Sequence, residues 1–310
     1  MSTRTTDAPA GPLARAERAL RRDRVQAPAT KANIARNARA DRDRRVRWGP
    51  ARDALWELLE PHLASGARVA VLGAGNADDL PLARIAERAC DVVLIDLDLP
   101  AVRAARRRQP RHLRRRIELV EHDVTTGAAD HVASAAAHGR VLQPPRVSEV
   151  PLPGAPYDLV VGDLFYSQLL HPALLDLAVP GDRRRAAETR HTPMLVRGAV
   201  ARLHASAPQG RVVHLHDPLT WTPSRPQPVA LTDILKTAGR DVDAALRLIA
   251  RGHGPRESDP RCALESLRIP VRATVLWRWP FAPEVDYLAC ATLAGAALAT
   301  GLAERHDLER

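Results

Sequence analysis

Aromatic residues are scarce in this chain. They make up 3% of its 310 residues, so a core has to be built from Ala, Leu and Val. Hydrophobic residues still account for 45%, which is ample for a buried core. Lysine is nearly absent as well: only Lys31 and Lys236 occur among 46 basic residues, a skew that coding bias explains as readily as function. Cysteine is limited to Cys90, Cys262 and Cys290. None forms a CxxC pair or a metal-ligand spacing, which excludes a disulfide framework and points to a reducing, cytoplasmic compartment. The opening residues show no apolar stretch of the signal-peptide kind. The longest uncharged run, Tyr287 to Ala303, is rich in Ala and Gly and falls short of the ~20 strongly apolar residues of a spanning helix. It reads as a buried strand followed by a helix, and no membrane association is expected.

What the chain has in excess is arginine, and its placement is uneven. Residues 1–50 carry 13 basic and 5 acidic side chains, and Arg103 to Arg116 holds eight Arg and no acid. Two basic patches therefore sit on a mildly acidic body. Such patches serve either as a footprint for RNA or another polyanion, or as a solvated arm and a solvated helix. Residues 1 to about 30 mix Ala, Pro, Thr and Arg without a steady apolar period and are expected to lack fixed structure. Lys31 to Arg47 has helical composition but hardly any apolar face. The division expected is a basic, partly disordered extension over 1–47 and one folded domain over 48–310.

From Ala51 the pattern becomes regular. Leu55, Leu58, Leu59 and Leu63 fall at helical spacing, and Gly66 ends that helix. Short apolar runs then alternate with helical segments. The runs Arg68–Leu72, Asp91–Asp96, Ile117–Glu121, Asp158–Val161 and Arg211–Leu215 are expected as buried parallel strands. Helices are expected over 80–89, 100–108, 125–138 and 186–204. A Pro-rich linker covers 142–156, and a second Pro-rich loop, 218–228, follows the fifth strand. Val271–Trp279 and Asp286–Thr292 read as a hairpin. The fold class expected is α/β, Rossmann-like, with a mostly parallel sheet of about seven strands and an antiparallel C-terminal hairpin.

The motif that carries chemistry follows the first strand: Gly73-Ala74-Gly75-Asn76-Ala77-Asp78-Asp79. Glycines there permit a tight turn and a close ligand approach. Asp96 closes the second strand 21 residues after Gly75, the spacing of a ribose-binding carboxylate. A dinucleotide site has a third glycine at position 78 and sets a pyrophosphate on the helix N-terminus. Asp78 and Asp79 stand there instead and would repel it, while a ligand carrying ammonium and sulfonium groups suits them. Either of the two equally serves as a helix N-cap.

Together with His122-Asp123-Val124 and Asp158-Leu-Val-Val-Gly-Asp163, this order resembles the class I methyltransferases that use S-adenosylmethionine (SAM), over roughly residues 50 to 295. The GAGN loop and Ser167-Gln168-Leu169 are similar to an uncharacterised bacterial branch of that class. The resemblance implies that Gly73, Ala74, Gly75 and Asn76 line the methionine and ribose part of SAM. It implies Asp96 on the ribose hydroxyls, Leu97 against the adenine, Asp123 on the adenine amine with Val124 beside the ring, and Asp163 at the methionine end. Two departures stand out: Val71 where an acid is common, and Ala77 where a third glycine is usual.

The acceptor is expected beyond the fourth strand. If it is a hydroxyl, a base helps, and Tyr166 and His171 are the nearest candidates. Each also has a plain alternative, Tyr166 as packing and His171 as a helix-face residue. His214, His216 and Asp217 at the end of the fifth strand are either polar residues near a pocket or metal ligands, and no metal is expected. Trp277 and Trp279 either wall the pocket or pack the strand. Methyl transfer to a small molecule is the function expected. RNA methylation through the Arg patches and a non-catalytic SAM-binding role are the alternatives.

Overall fold

The computed structural model describes residues 27–38, 43–143 and 150–295. Most of the arm expected to lack structure, and the helix expected after the hairpin, lie outside those residues. The described chain opens with helices α1 (Pro28–Ala38), α2 (Arg44–Arg47) and α3 (Gly49–Leu59). Strand β1 (Arg68–Leu72) follows, then α4 (Leu82–Arg88), β2 (Asp91–Asp96), α5 (Leu99–Arg107), α6 (Arg111–Arg114) and β3 (Ile117–Glu121). Next come α7 (Ala128–Ala137), β4 (Leu159–Asp163), α8 (His171–Asp176), α9 (Gly181–Ser206) and β5 (Arg211–Trp221). Helices α10 (Leu231–Ala238), α11 (Val242–Ile249) and α12 (Pro260–Ser266) precede the hairpin β6 (Val271–Ala282) and β7 (Val285–Gly295).

The seven strands form one sheet in the order β3-β2-β1-β4-β5-β7-β6. The first five are parallel, and β7 pairs antiparallel with both β5 and β6. This is the Rossmann-like sheet with an antiparallel C-terminal hairpin that the alternation predicts. Strand alternation divides the core. Val69, Val71, Val92, Leu94 and Val161 face α3, α4 and α5. Ala70, Leu72, Val93, Ile95 and Val160 face α7, α8 and α9. Both faces are covered, so the strands read as continuous apolar runs, and each fully buried Val, Leu or Ile contributes about 1.5–3 kcal/mol.

Three differences from the sequence reading have physical reasons. Strand β5 does not end at Leu215 but runs to Trp221. Pro218 falls within the register shift between His216 and Leu219, where a bulge tolerates the missing N–H. Helices α10 and α11 pack around Leu219, Ile234 and Leu288 as a separate small cluster, formed from a region that gave no strong periodic signal. Asp78 and Asp79 cap no helix: α4 starts at Leu82 behind Pro81. It is Asp98 that caps, accepting from the Ala101 N–H at 3.1 Å at the start of α5.

The arginine-rich stretch is only partly a solvated face. Arg116 donates to the carbonyls of Ala86, Glu87 and Ala89 at the end of α4, and Arg114 donates to the Gln109 carbonyl at 2.7 Å. Arg108 reaches the Asn76 carbonyl and the Asp78 carboxylate, so it supports the glycine loop rather than standing clear of it. Arg103, Arg107, Arg111 and Arg115 remain exposed.

Candidate functional site

The strand order reverses between β1 and β4, and ligands of open α/β sheets bind in the crevice at such a switch, beyond the strands' carboxyl ends. A cavity of about 550 Å³ lies there. Leu72 pairs with Gly162 across the two strands, which sets Gly73 beside Asp163. A Cβ on Gly73 would stand 2.8 Å from the Asp163 carbonyl oxygen, and the residue's φ is +80°. Only glycine fits that turn. Ala77, where a further glycine is usual in the resembling family, also adopts a left-handed φ of +51°. Leu164, directly after Asp163, does so at +50°. For non-glycine residues this backbone costs about 1–2 kcal/mol each, and such strain collects at ligand sites.

All nine residues expected on the cofactor side, Gly73 to Asn76, Asp96, Leu97, Asp123, Val124 and Asp163, line this one cavity. Asp96 is buried and does structural service already. Its Oδ2 accepts from the Gly75 N–H at 2.8 Å and its Oδ1 from the Asp98 N–H at 2.8 Å. Burial pushes its carboxyl above the ordinary range. Asp123 holds its own loop, accepting from the Thr125 and Gly127 N–H groups. The loop is braced from below by the buried Arg202, which donates to the Val124 carbonyl at 2.6 Å and to the Val150 carbonyl at 2.8 Å.

The third carboxylate differs from these two. Asp163 is 3% exposed, and its Oδ1 has no hydrogen-bond partner. Desolvation, with Asp79 and Asp96 adding like charge, raises its carboxyl well above the usual range. Burial, with Asp78 adding like charge, raises Asp79 to about 6 against the opposing pull of Arg44 and Arg52. Among the described residues none of Asp79, Asp96 and Asp163 forms an ion pair, whereas Asp78 is bridged by Arg44 and by Arg108 at 3.1 Å. One half of the cavity thus presents three carboxylates that are in no ion pair among the described residues.

The segment before residue 48 completes the cavity, although its sequence offers hardly any apolar face. It binds through polar groups. Asn33 donates to Asp96 at 3.3 Å and Asn37 to Asp98 at 3.0 Å. Asn76 reaches back to the Asn37 carbonyl at 2.9 Å. Ala29, Asn33 and Asn37 of α1 and Arg44 and Arg47 of α2 all line the cavity. Sequence reasoning missed them because it looked for an apolar stripe. The signal present was a pair of asparagines at i and i+4, which share one helix face.

The opposite wall comes from the hairpin. Strand β5 and its partner run past the tip of β4, since Asp163 pairs with Leu215 while pairing to β7 continues to Trp221. Trp279, Phe281 and Tyr287 therefore rise above the sheet's carboxyl edge and line the cavity with Trp48. The Trp48 indole N–H donates to the Phe281 carbonyl at 3.0 Å. Trp279 thus both packs and walls the cavity, while Trp277 packs against the core face.

Neither proposed acid–base residue lines the cavity. Tyr166 is fully buried beneath it, its hydroxyl on His214 Nδ1. His171 sits on α8 with Nδ1 against Glu188, its side chain half exposed. Burial lowers the His214 imidazole well below its ordinary pKa and His216 to about 4. Asp217 accepts from the Ser167 hydroxyl at 3.0 Å. Among the described residues no group of three or more His, Cys, Asp or Glu could hold a metal ion, and no helix is long and apolar enough to cross a membrane.

No family model matches the sequence, and no curated protein matches it. Solved structures do show likeness. A magnesium protoporphyrin IX methyltransferase from Synechocystis PCC 6803 with bound SAH is 13% identical, with a TM-score of 0.44 over 86% of this chain and 93% of that one. A SAM-dependent methyltransferase from Aquifex aeolicus is 13% identical, with a TM-score of 0.40 over 82% and 93%. A TehB-like SAM-dependent methyltransferase from Corynebacterium glutamicum is 13% identical, with a TM-score of 0.36 over 79% and 88%. Likenesses this distant do not assign an activity, and the residues of the cavity have to.

Proposed function

We propose that the chain is a SAM-dependent methyltransferase acting on a small molecule. The observation that carries the reading is the unpartnered, buried Asp163 carboxylate beside Asp79, at the mouth of a glycine turn that admits no side chain. A buried carboxylate without a partner is costly, and a cationic ligand would relieve the cost. The amino-acid end of SAM carries an ammonium beside a sulfonium, and so matches two carboxylates that a pyrophosphate would be repelled by. Gly73 and Gly75 would leave the backbone open to it, Asp163 and Asp79 would face the ammonium, and Asp96 would accept from the ribose hydroxyls. Leu97 and Val124 would flank the adenine, with Asp123 as acceptor for its amine.

When bound, SAM supplies an activated methyl group for in-line displacement, a reaction helped mostly by positioning. The chain's own part is to fix the two ends of the ligand and to wall the space beyond β4. Tyr166 and His171 have partners away from the cavity, so no proton transfer is assigned to them. Equilibrium dialysis against SAM, its demethylated product and NAD tests the reading. SAM and the product should be retained and NAD not. Retention of NAD alone would overturn it.

A further inference from the structure

The chain has ten aromatic residues in 310, and five of them, Trp48, Phe165, Trp279, Phe281 and Tyr287, line this one cavity. Four form a continuous wall. Trp48 and Trp279 meet edge to face at 4.8 Å between centroids, Phe281 and Tyr287 stack at 4.6 Å, and Trp48 stacks on Phe281 at 5.6 Å. They come from opposite ends of the chain, the segment before α3 and the β6–β7 hairpin. Packing alone would not place them at a cavity, because Leu and Val fill the rest of the core.

We propose, resting on the methyltransferase reading, that this wall binds the acceptor and that the acceptor is a planar aromatic small molecule, neutral or anionic. The sheet order supplies the placement. SAM would occupy the tips of β1, β2 and β3, and the remaining space lies toward β4, β5 and β7, where the wall stands. Flat rings favour a flat partner, since offset or edge-on ring contacts are worth about 0.5–1.5 kcal/mol beyond area burial. The charge around the wall selects its sign. Arg36 and Arg47 line the same cavity, Arg47 donating to the Phe281 carbonyl at 3.4 Å, while Arg44, over the Trp48 ring at 4.7 Å, is already paired with Asp78. Aromatic walls also bind ammonium groups, but arginines set among the rings disfavour a cation there. The Trp279 indole N–H is buried without a partner and is a donor on the wall left for an oxygen of the ligand.

The test uses 1-hydroxy-2-naphthoate as probe, titrated into the full chain with and without the demethylated SAM product, with tryptophan fluorescence as readout. Decahydro-2-naphthoate serves as saturated control and 2-naphthylmethylamine as cationic control. The hydroxynaphthoate should bind at least tenfold more tightly than either. The double variant Phe281→Leu, Tyr287→Leu keeps apolar volume at partly exposed positions, and it should lose at least tenfold for the hydroxynaphthoate while binding the SAM product within twofold of wild type. Equal binding of the saturated or cationic control, or undiminished binding by the double variant, would overturn the proposal. So would displacement of the probe by a short RNA at lower concentration than by the naphthoate itself. If the SAM product does not bind while the naphthoate does and the variant loses it, the cofactor reading fails and the aromatic site stands.

Discussion

The acidic half of the cavity and its aromatic half are made by different means. Gly73, Asp96, Asp123 and Asp163 are contributed by the ends of β1 to β4, and each sits at the end or just past the end of a parallel strand. Their positions follow from strand order, and their spacing is readable once the strands are found. The aromatic half joins residues more than 230 positions apart, as Trp48 does with Phe281. No local pattern announces that pairing. The first half is fixed by the sheet, and the second by long-range closure over it.

The largest expected effect separates ligand binding from scaffolding in the acidic half. Asp96→Ala removes the acceptors proposed for two ribose hydroxyls. Hydrogen bonds to a charged acceptor are worth about 1.5–3 kcal/mol each, so SAM affinity should fall by about a hundredfold. The same carboxylate holds the Gly75 and Asp98 N–H groups, so the melting midpoint should also drop while the fold survives. Calorimetry and a melting curve on one sample read both. A lower midpoint with unchanged affinity would reduce Asp96 to a brace.

The second comparison concerns how α1 is held. Asn33→Ala with Asn37→Ala should cost about 2 kcal/mol of stability, at about 1 kcal/mol for each partly exposed bond. It should change SAM affinity by less than tenfold, because Asp96 keeps its backbone donors. Denaturant melts of the double variant check this. A loss of affinity as large as that of Asp96→Ala would place the asparagines on the ligand itself.

The smallest effect is at Ala77. Glycine relieves its left-handed backbone, but the substitution also frees the unfolded chain, so Ala77→Gly should stay within about 1 kcal/mol of wild type. Ala77→Val should be clearly worse, since a β-branched residue is an outlier at such a φ. Paired melts of the two variants decide whether the strain is real.

These contrasts explain how far the sequence could be read. The five parallel strands and the hairpin stood out as apolar runs between turn signals, and the cofactor-side residues were implied by the resemblance that the motifs at the ends of those runs carry. Strand β5 is expected to end at Leu215 because a proline inside a bulge, here Pro218, looks like a loop. Segment 28–38 was undervalued because its buried face is polar, with Asn33 and Asn37 meeting Asp96 and Asp98. Arg108 reads as part of a polyanion footprint or of a solvated helix, because a run of like charges hides the one member that finds a carboxylate. Trp48 and Phe281 were unpaired in sequence because closure between chain ends leaves no periodic trace. Tyr166 and His171 were attractive only for their nearness to β4; Tyr166 turns down into the core and His171 outward to Glu188.

The central claim is that the cavity holds the cation of SAM against Asp79 and Asp163, and proton release reads it most directly. Asp79 is raised to about 6 and Asp163 well above its ordinary value. A bound cation favours their ionised forms, so both would lose protons when it arrives. SAM affinity should therefore rise with pH and fall as the solution drops through about 6, by up to tenfold per pH unit for each proton released. Titration calorimetry of SAM at pH 6.5, in two buffers of different ionisation enthalpy, should give saturable binding whose apparent heats differ by the protons released. Heats independent of buffer would contradict the role of these carboxylates, and no binding of SAM or its demethylated product at millimolar concentration would contradict the methyltransferase reading itself.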